Sequence, residues 1–300
     1  MDMTQNKCCR HGASLRRRRR RRRKILRSII FSCSIIAVAV FVAVGSRMIT
    51  SGDGGTNRYD VEAGNNTYDN AVIENSKISE KNKIQNNQSM LDDIMNSTQY
   101  PKQLKDLALK NEEALEFVYD YPAEHVKEHT IDLTEEASMD SVPLFVQGDK
   151  RWGYEKYSGN FFAASGCGPT TLSMVVVYLT HNREASPIAV AKYSKEAGYS
   201  VDGSGSSWTL ISEGSMHYGV KAKTVALDES RMKAELDEGH PIVVNVGPGD
   251  FTDTGHFMVI TGYDDEGFSI NDPNSIEKSG KRWLFKNISS QIRAVWSMYV

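Results

Sequence analysis

The sequence predicts an α+β domain in its C-terminal half, preceded by one transmembrane helix. Three observations carry this reading. Apolar residues recur at helical spacing in several segments between Leu104 and Glu238. β-Branched runs take over after Gly239, and nineteen residues without a charge, Ser28 to Ser46, lie near the N-terminus. Helices followed by a strand meander imply segregated α and β layers, not alternating βαβ units.

The uncharged stretch follows a basic N-terminal head. At about 1.5 Å rise per residue it covers roughly 28 Å as a helix, close to the ~30 Å hydrocarbon core of a bilayer. Residues 1–27 hold twelve Lys or Arg and one acid, a charge of +11, which leaves −13 on the rest of a chain whose net charge is −2. The basic head marks its own side as cytoplasmic, so the remainder is expected outside the cytoplasm. Ala43-Val44-Gly45 has the small-x-small form of a signal-peptide cleavage site. The apolar run is long for a signal peptide, however, and an uncleaved single-pass anchor over 28–46 is the expectation. The eight arginines Arg16 to Arg23 could contact nucleic acid. Abutting a hydrophobic span, they are better explained by orientation and anionic lipid heads, and no nucleic-acid partner is expected.

Residues 47–90 are rich in Asn, Ser, Gly, Asp and Lys and read as a disordered stalk. Residues 91–141 carry helical patterning after Pro101 (Leu104, Leu107, Ala108, Leu115, Val118) and read as a helical preface. The compact domain is expected over 142–300. Within it, Leu172, Val175, Val176 and Leu179 follow Pro169 at i, i+3, i+4 and i+7, and Ser186-Pro187 caps a second helix. Further helical stretches are expected near Trp208 to His217 and Glu229 to Glu238. Strands are expected at Pro241 to Val246, His256 to Tyr263 and Phe268 to Ile270, with Asp264 to Gly267 as a hairpin turn.

Four cysteines occur, of which Cys8, Cys9 and Cys33 belong to the head and span. Cys167 is therefore the sole thiol expected outside the membrane, with no intramolecular disulfide partner there. A free cysteine is most often a small buried hydrophobe. Cys167, however, stands between Gly166 and Gly168 where a helix begins. The unpaired N–H groups and partial positive charge of a helix N-terminus favour thiolate. The two glycines would also let a substrate backbone approach, so Cys167 is read as a nucleophile.

A thiol nucleophile needs a base and a group to orient that base. His256 opens one strand and Asp272 ends the next, and the hairpin returns both towards one end of the sheet. The simple register leaves them a few residues out of line. Alone, His256 would be a surface residue and Asp272 a turn former before Pro273. Asn271 is the alternative orienter, although strand alternation sets it on the other face. For an oxyanion, the Cys167 backbone N–H is one donor. Gln147 is either the second or an ordinary surface glutamine.

Val142-Pro143 through Gln147, Gly166-Cys167-Gly168-Pro169-Thr170, Gly247 to Thr252 through Gly255-His256-Phe257, and Asn271-Asp272-Pro273-Asn274-Ser275 together resemble the bacteriocin-processing, double-glycine-leader type of cysteine peptidase. The resemblance covers nearly all of 142–300 and extends weakly to the preceding helix ending Phe117-Val118-Tyr119-Asp120-Tyr121-Pro122. It implies a papain-like fold with the nucleophile helix packed on an antiparallel sheet. The chain departs from the transporter-fused members of the type, since it is expected to be a stand-alone, membrane-anchored bacterial member facing outward. The resemblance also implies Cys167 as nucleophile, His256 as base, Asp272 as orienter and Gln147 as oxyanion donor. The substrate would be a peptide or protein, cleaved through an acyl-enzyme thioester, with no cofactor or metal. Three other readings share these residues: a thiol acyltransferase or transpeptidase, a cell-wall peptide hydrolase, and a non-catalytic binding module. His125-Val126-Lys127-Glu128-His129 also fits a zinc-peptidase H-x-x-E-H pattern. It lacks an apolar helix face and is read as a solvated helix end.

Overall fold

The computed structural model describes residues 66–300. The expected head (1–27), the expected anchor (28–46) and the stalk as far as residue 65 lie outside the described residues. Among the described residues, no helix is long and apolar enough to cross a membrane.

Helix α1 (Asn66–Asn96) occupies part of the segment expected to be a disordered stalk, and that expectation is corrected for 66–90. Low apolar content does not separate a coil from an exposed helix. Residues 65–100 contain neither Gly nor Pro, so nothing in the backbone chemistry ends a helix there. Near its C-terminal end Ile94 is buried, with Met90 and Leu91 packed beside it. Helix α2 (Lys102–Lys110) and one-turn helices at Glu112–Ala114, Leu115–Tyr119 and Tyr121–Glu124 continue this preface. Leu104, Leu107, Leu115, Phe117 and Val118 bury together with Phe161 and Ala163. Burying side chains of this size contributes about 1.5–3 kcal/mol each before the entropy of ordering them is set against it.

Helix α3 (Cys167–Thr180) is buried on every side from Gly168 to Val177. The sequence suggested an amphipathic helix. An all-round apolar surface instead marks a central one. It ends at His181, which adopts a left-handed conformation (φ 57°) and bonds through Nδ1 to Ala137 O at 2.7 Å. Helix α4 (Pro187–Glu196) starts as expected, with Ser186 Oγ accepting from Ala189 N. The stretch near Trp208 to His217 is only a helical turn, Thr209–Ser212, and a 3₁₀ turn, Gly214–Tyr218. Helix α5 (Glu229–Asp237) is capped by Asp228.

Six antiparallel strands form the main sheet: β1 (Lys221–Thr224), β2 (Ile242–Val246), β3 (His256–Asp264), β4 (Gly267–Asn271), β5 (Arg282–Trp283) and β6 (Ile292–Tyr299). Their order is β1-β6-β2-β3-β4-β5. Residues Val243, Phe257, Val259, Trp296 and Met298 face α3 and its neighbours. Ile242, Val244, Met258, Ile260 and Val295 face the opposite cluster with Met232 of α5. Strand β2 is buried throughout, consistent with a central position covered on both faces.

The β3–β4 hairpin carries one irregularity. Near the turn, Asp264 pairs with Gly267 and Gly262 with Ser269, whereas beyond it Ile260 pairs with Ile270 and Val259 with Asn271. The ladder therefore slips by one residue around Thr261. A one-residue slip exchanges the faces of everything beyond it. Extended without the slip, the ladder would leave Asp272 on the face opposite His256. With it, the two are diagonal neighbours on one face, within side-chain reach.

Candidate active site

Cys167 is the first residue of α3, and Gly166 precedes it as the N-cap. The flanking glycines do not open onto substrate space, which corrects the sequence reading. A Cβ on Gly166 would lie 2.6 Å from atoms of the Phe162 ring, and one on Gly168 would lie 2.5 Å from Ser206 Oγ. They are needed so that the start of the helix can pack against Phe162 and the Ser206 loop. Helix α3 is fixed to the sheet beside the thiol, where Thr171 Oγ1 donates to Phe257 O at 3.1 Å.

His256, the first residue of β3, is only 5% exposed. It pairs with Val246 across the ladder. The Asn245 side-chain amide donates to its carbonyl at 3.3 Å. The ring Nε2 lies 2.7 Å from Asp272 Oδ1, and the ring also interacts with the Cys167 side chain. With Nε2 taken by the carboxylate, Nδ1 is the ring nitrogen left for sulfur.

Asp272 is wholly buried. It follows β4 directly and begins a tight turn in which Ser275 N donates to Asp272 O at 3.2 Å. Its Oδ1 also accepts from Asn274 N at 2.8 Å, and its own N–H donates to Ser279 Oγ at 2.9 Å. Asn271, the alternative orienter, is turned away. Its amide donates to the carbonyls of Val142 and Pro143 at 3.2 and 3.0 Å.

Gln147 is buried, not a surface residue. Its backbone N–H donates to Pro273 O at 2.7 Å. Its Nε2 donates to Ala163 O at 2.6 Å and to Asn274 Oδ1 at 3.2 Å, while its Oε1 has no protein partner. Both amide hydrogens are therefore engaged within the protein. The reverse amide orientation would set Oε1 against the Ala163 carbonyl, so this one is fixed by its surroundings.

Burial acts against charge on both Cys167 and His256, and in each case the partner overcomes it. The thiol is pushed up by burial. The hydrogen bond and charge of His256, followed by the backbone N–H groups of Phe257 and Gly168, bring it below its ordinary value. Burial lowers His256, but Asp272 by charge and hydrogen bond, and then Cys167, push it up to about 10. These directions favour the thiolate–imidazolium form of the pair over the neutral one.

The structure thus brings together Cys167, His256 and Asp272, with Gln147 against the Asp272 turn. Sequence reasoning did not single out Asn274, which bridges Asp272 and Gln147. Its place two residues after an aspartate is a recognisable turn signal. The His125–His129 segment is a turn after the Tyr121–Glu124 helix, and it lacks the helical spacing of a zinc motif. His125 stacks on Tyr121 at 4.1 Å and His129 lies 3.4 Å from Glu124. Among the described residues, no group of three or more His, Cys, Asp or Glu could hold a metal ion.

Residues 139–300 match the Peptidase_C39 like family. Two solved structures are similar to the chain. One is the peptidase domain of Streptococcus ComA, a bifunctional ABC transporter involved in a quorum-sensing pathway. It is 20% identical, with 45% of this chain and 90% of that chain covered and a TM-score of 0.36. The other is a C39-like peptidase from Bacillus anthracis. It is 17% identical, with 53% of this chain and 95% of that chain covered and a TM-score of 0.33. No curated protein matches.

Proposed function

The chain belongs to the Peptidase_C39 like family, and from that premise we propose that it is a membrane-anchored cysteine peptidase acting outside the cytoplasm. The observation that carries the catalytic part is the buried Cys167–His256–Asp272 set, in which the His256 ring lies 2.7 Å from Asp272 Oδ1 and interacts with the Cys167 side chain. The anchor and its orientation rest on the sequence alone, on the arginine block and the uncharged stretch 28–46.

In this reading the Cys167 thiolate attacks the scissile carbonyl carbon, and the carbonyl π electrons move to oxygen. The oxyanion is met by the Cys167 backbone N–H, unpaired in the first helical turn. Gln147 contributes the second donor by exchanging its longer bond, to Asn274, for the oxyanion. Collapse of the intermediate breaks the C–N bond, and His256 imidazolium gives its proton to the departing amine. This leaves an acyl thioester on Cys167 and neutral imidazole. His256 then takes a proton from water as the water adds to the thioester, and the thiolate leaves with the acid product. Asp272 keeps the ring oriented and supports its charged form without itself taking a proton.

The test is peptide cleavage by wild type and Cys167→Ala, with iodoacetamide labelling of the wild type followed by mass spectrometry. Loss of cleavage in the variant, with Cys167 as the labelled residue at neutral pH, is the expected result. Undiminished cleavage by Cys167→Ala rules out thiol catalysis. A wild-type Cys167 that resists labelling favours a binding module on the same fold.

A further inference from the structure

The turn that holds Asp272 is secured from outside the family-matched region. Residues 139–300 match the family, yet two side chains of the preface, Asn111 and Glu113, reach the 272–277 segment. Asn111 Nδ2 donates to Asn274 O at 3.0 Å and to Asn274 Oδ1 at 3.1 Å. Asn274 in turn donates its backbone N–H to Asp272 Oδ1. The same Asn274 Oδ1 receives Gln147 Nε2, so one side chain is shared between the proposed orienter and the proposed oxyanion donor.

Glu113 reaches the far end of the turn. Its Oε1 accepts from Ser275 Oγ, and its Oε2 accepts from Ile276 N at 2.7 Å and Glu277 N at 3.1 Å. Ser275 itself is buried and its Oγ accepts from Lys278 N at 3.0 Å, capping the short helix Ile276–Ser279. Ser279 completes the circuit by accepting from Asp272 N. Asn111 and Glu113 are tied to each other, since Asn111 Oδ1 accepts from Glu113 N at 3.0 Å. Both stand on a platform made rigid by Leu107, Ala114, Leu115 and Phe117 in the preface core.

From this we infer that Asn111 and Glu113 are positioning residues for Asp272, and that the preface is part of the catalytic unit. The two act through the turn: Asn111 sets the donor that holds the carboxylate, and Glu113 fixes the segment that follows. The inference rests on the peptidase reading above. Its tests are therefore arranged so that the two can fail separately.

Full-length Asn111→Ala, Glu113→Ala and Glu113→Gln are compared with wild type in three measurements: steady-state cleavage of a peptide, the pH dependence of iodoacetamide alkylation at Cys167, and thermal unfolding. Each Ala variant is expected to lower kcat about tenfold, with KM within about twofold of wild type. The acid limb of the alkylation profile should move up by about one pH unit, because a loosened Asp272 supports the imidazolium less. Glu113→Gln keeps an acceptor for Ile276 and Glu277 and a partner for Ser275, and should recover most of both losses. Folded Ala variants with wild-type kcat and an unmoved acid limb would overturn the inference. So would equal losses in Glu113→Gln and Glu113→Ala. If Glu113→Ala does not fold, Glu113→Asp, too short to serve both ends of its site, and Asn111→Ser carry the same readouts and decide the matter by the same criteria. A wild type that neither cleaves peptides nor alkylates below the ordinary thiol range instead rejects the peptidase reading, and the positioning role falls with it.

Discussion

The two ends of the candidate site are built by different physics. Cys167 is placed by packing, at the start of a helix buried on all sides and seated against Phe162 and Ser206 without room for a methyl group. Asp272 is placed by hydrogen bonds, in a turn whose contacts come from Asn111, Glu113, Gln147, Asn274 and Ser279. Packing resists change everywhere along α3. A hydrogen-bonded turn can lose one contact and keep its fold, so the nucleophile end should fail through stability and the acid end through catalysis.

The largest effects should fall on the reacting groups, where the contrast disappears. Cys167→Ala should lower kcat/KM by about 10⁴-fold or more while leaving thermal unfolding near that of wild type. A residual activity within tenfold of wild type would remove the thiol from the mechanism.

Asp272→Asn should cost about 10²-fold or more in kcat, because the amide supports imidazolium poorly. It should also change the pH dependence of stability. His256 is raised to about 10 in the folded state from an ordinary value of 6.5. Its contribution is therefore fully present below pH 6.5 and is lost as pH rises through about 10. Because the lowered Cys167 thiol offsets this decline below pH 9, its ordinary value, denaturant unfolding should show the decline in wild type mainly between pH 9 and 10.5, with a flatter profile there in Asp272→Asn. Equal slopes in the two proteins would contradict the Asp272–His256 coupling.

The packing end should answer to stability. Gly166→Ala forces its new methyl into the Phe162 ring and should destabilise by about 1–3 kcal/mol. Once folded, it should retain most of its activity. A stable Gly166→Ala that has lost activity would return that glycine to the substrate side of the site. The smallest effect belongs to Thr171→Val, which removes the bond to Phe257 O, at about 0.5–1.5 kcal/mol. Partial loss of kcat with little change in KM would show that the α3–β3 joint also aligns His256 with the thiol.

Much of this was legible in the sequence, and the division follows the same contrast. The start of α3 is written in adjacent residues, and β2, β3 and β4 announce themselves as apolar runs around Asp264 to Gly267. The placement of Asp272 was not legible in full. It depends on the slip near Thr261, and no local composition distinguishes a hairpin with that irregularity from one without it. Strand β6 was missed although Ile292 to Tyr299 contains Val295, Trp296 and Met298, because Arg293 and Ser297 interrupt its apolar pattern. Helix α1 was hidden by polar composition. Asn111 and Glu113 lie more than 160 residues from Asn274 and Ile276, beyond the reach of any spacing argument. Gln147 was legible as a participant, but its engagement with Ala163 and Asn274 was not.

The central claim is that Cys167 rests as a thiolate because His256, held by Asp272, rests beside it as an imidazolium. The pH profile of Cys167 alkylation by iodoacetamide, measured on wild type and His256→Ala, tests it most directly. Wild type should react from well below pH 9, the ordinary thiol value, and His256→Ala should move the onset up to about that value. A wild-type profile that rises only near pH 9, or one left unchanged in His256→Ala, would contradict the claim.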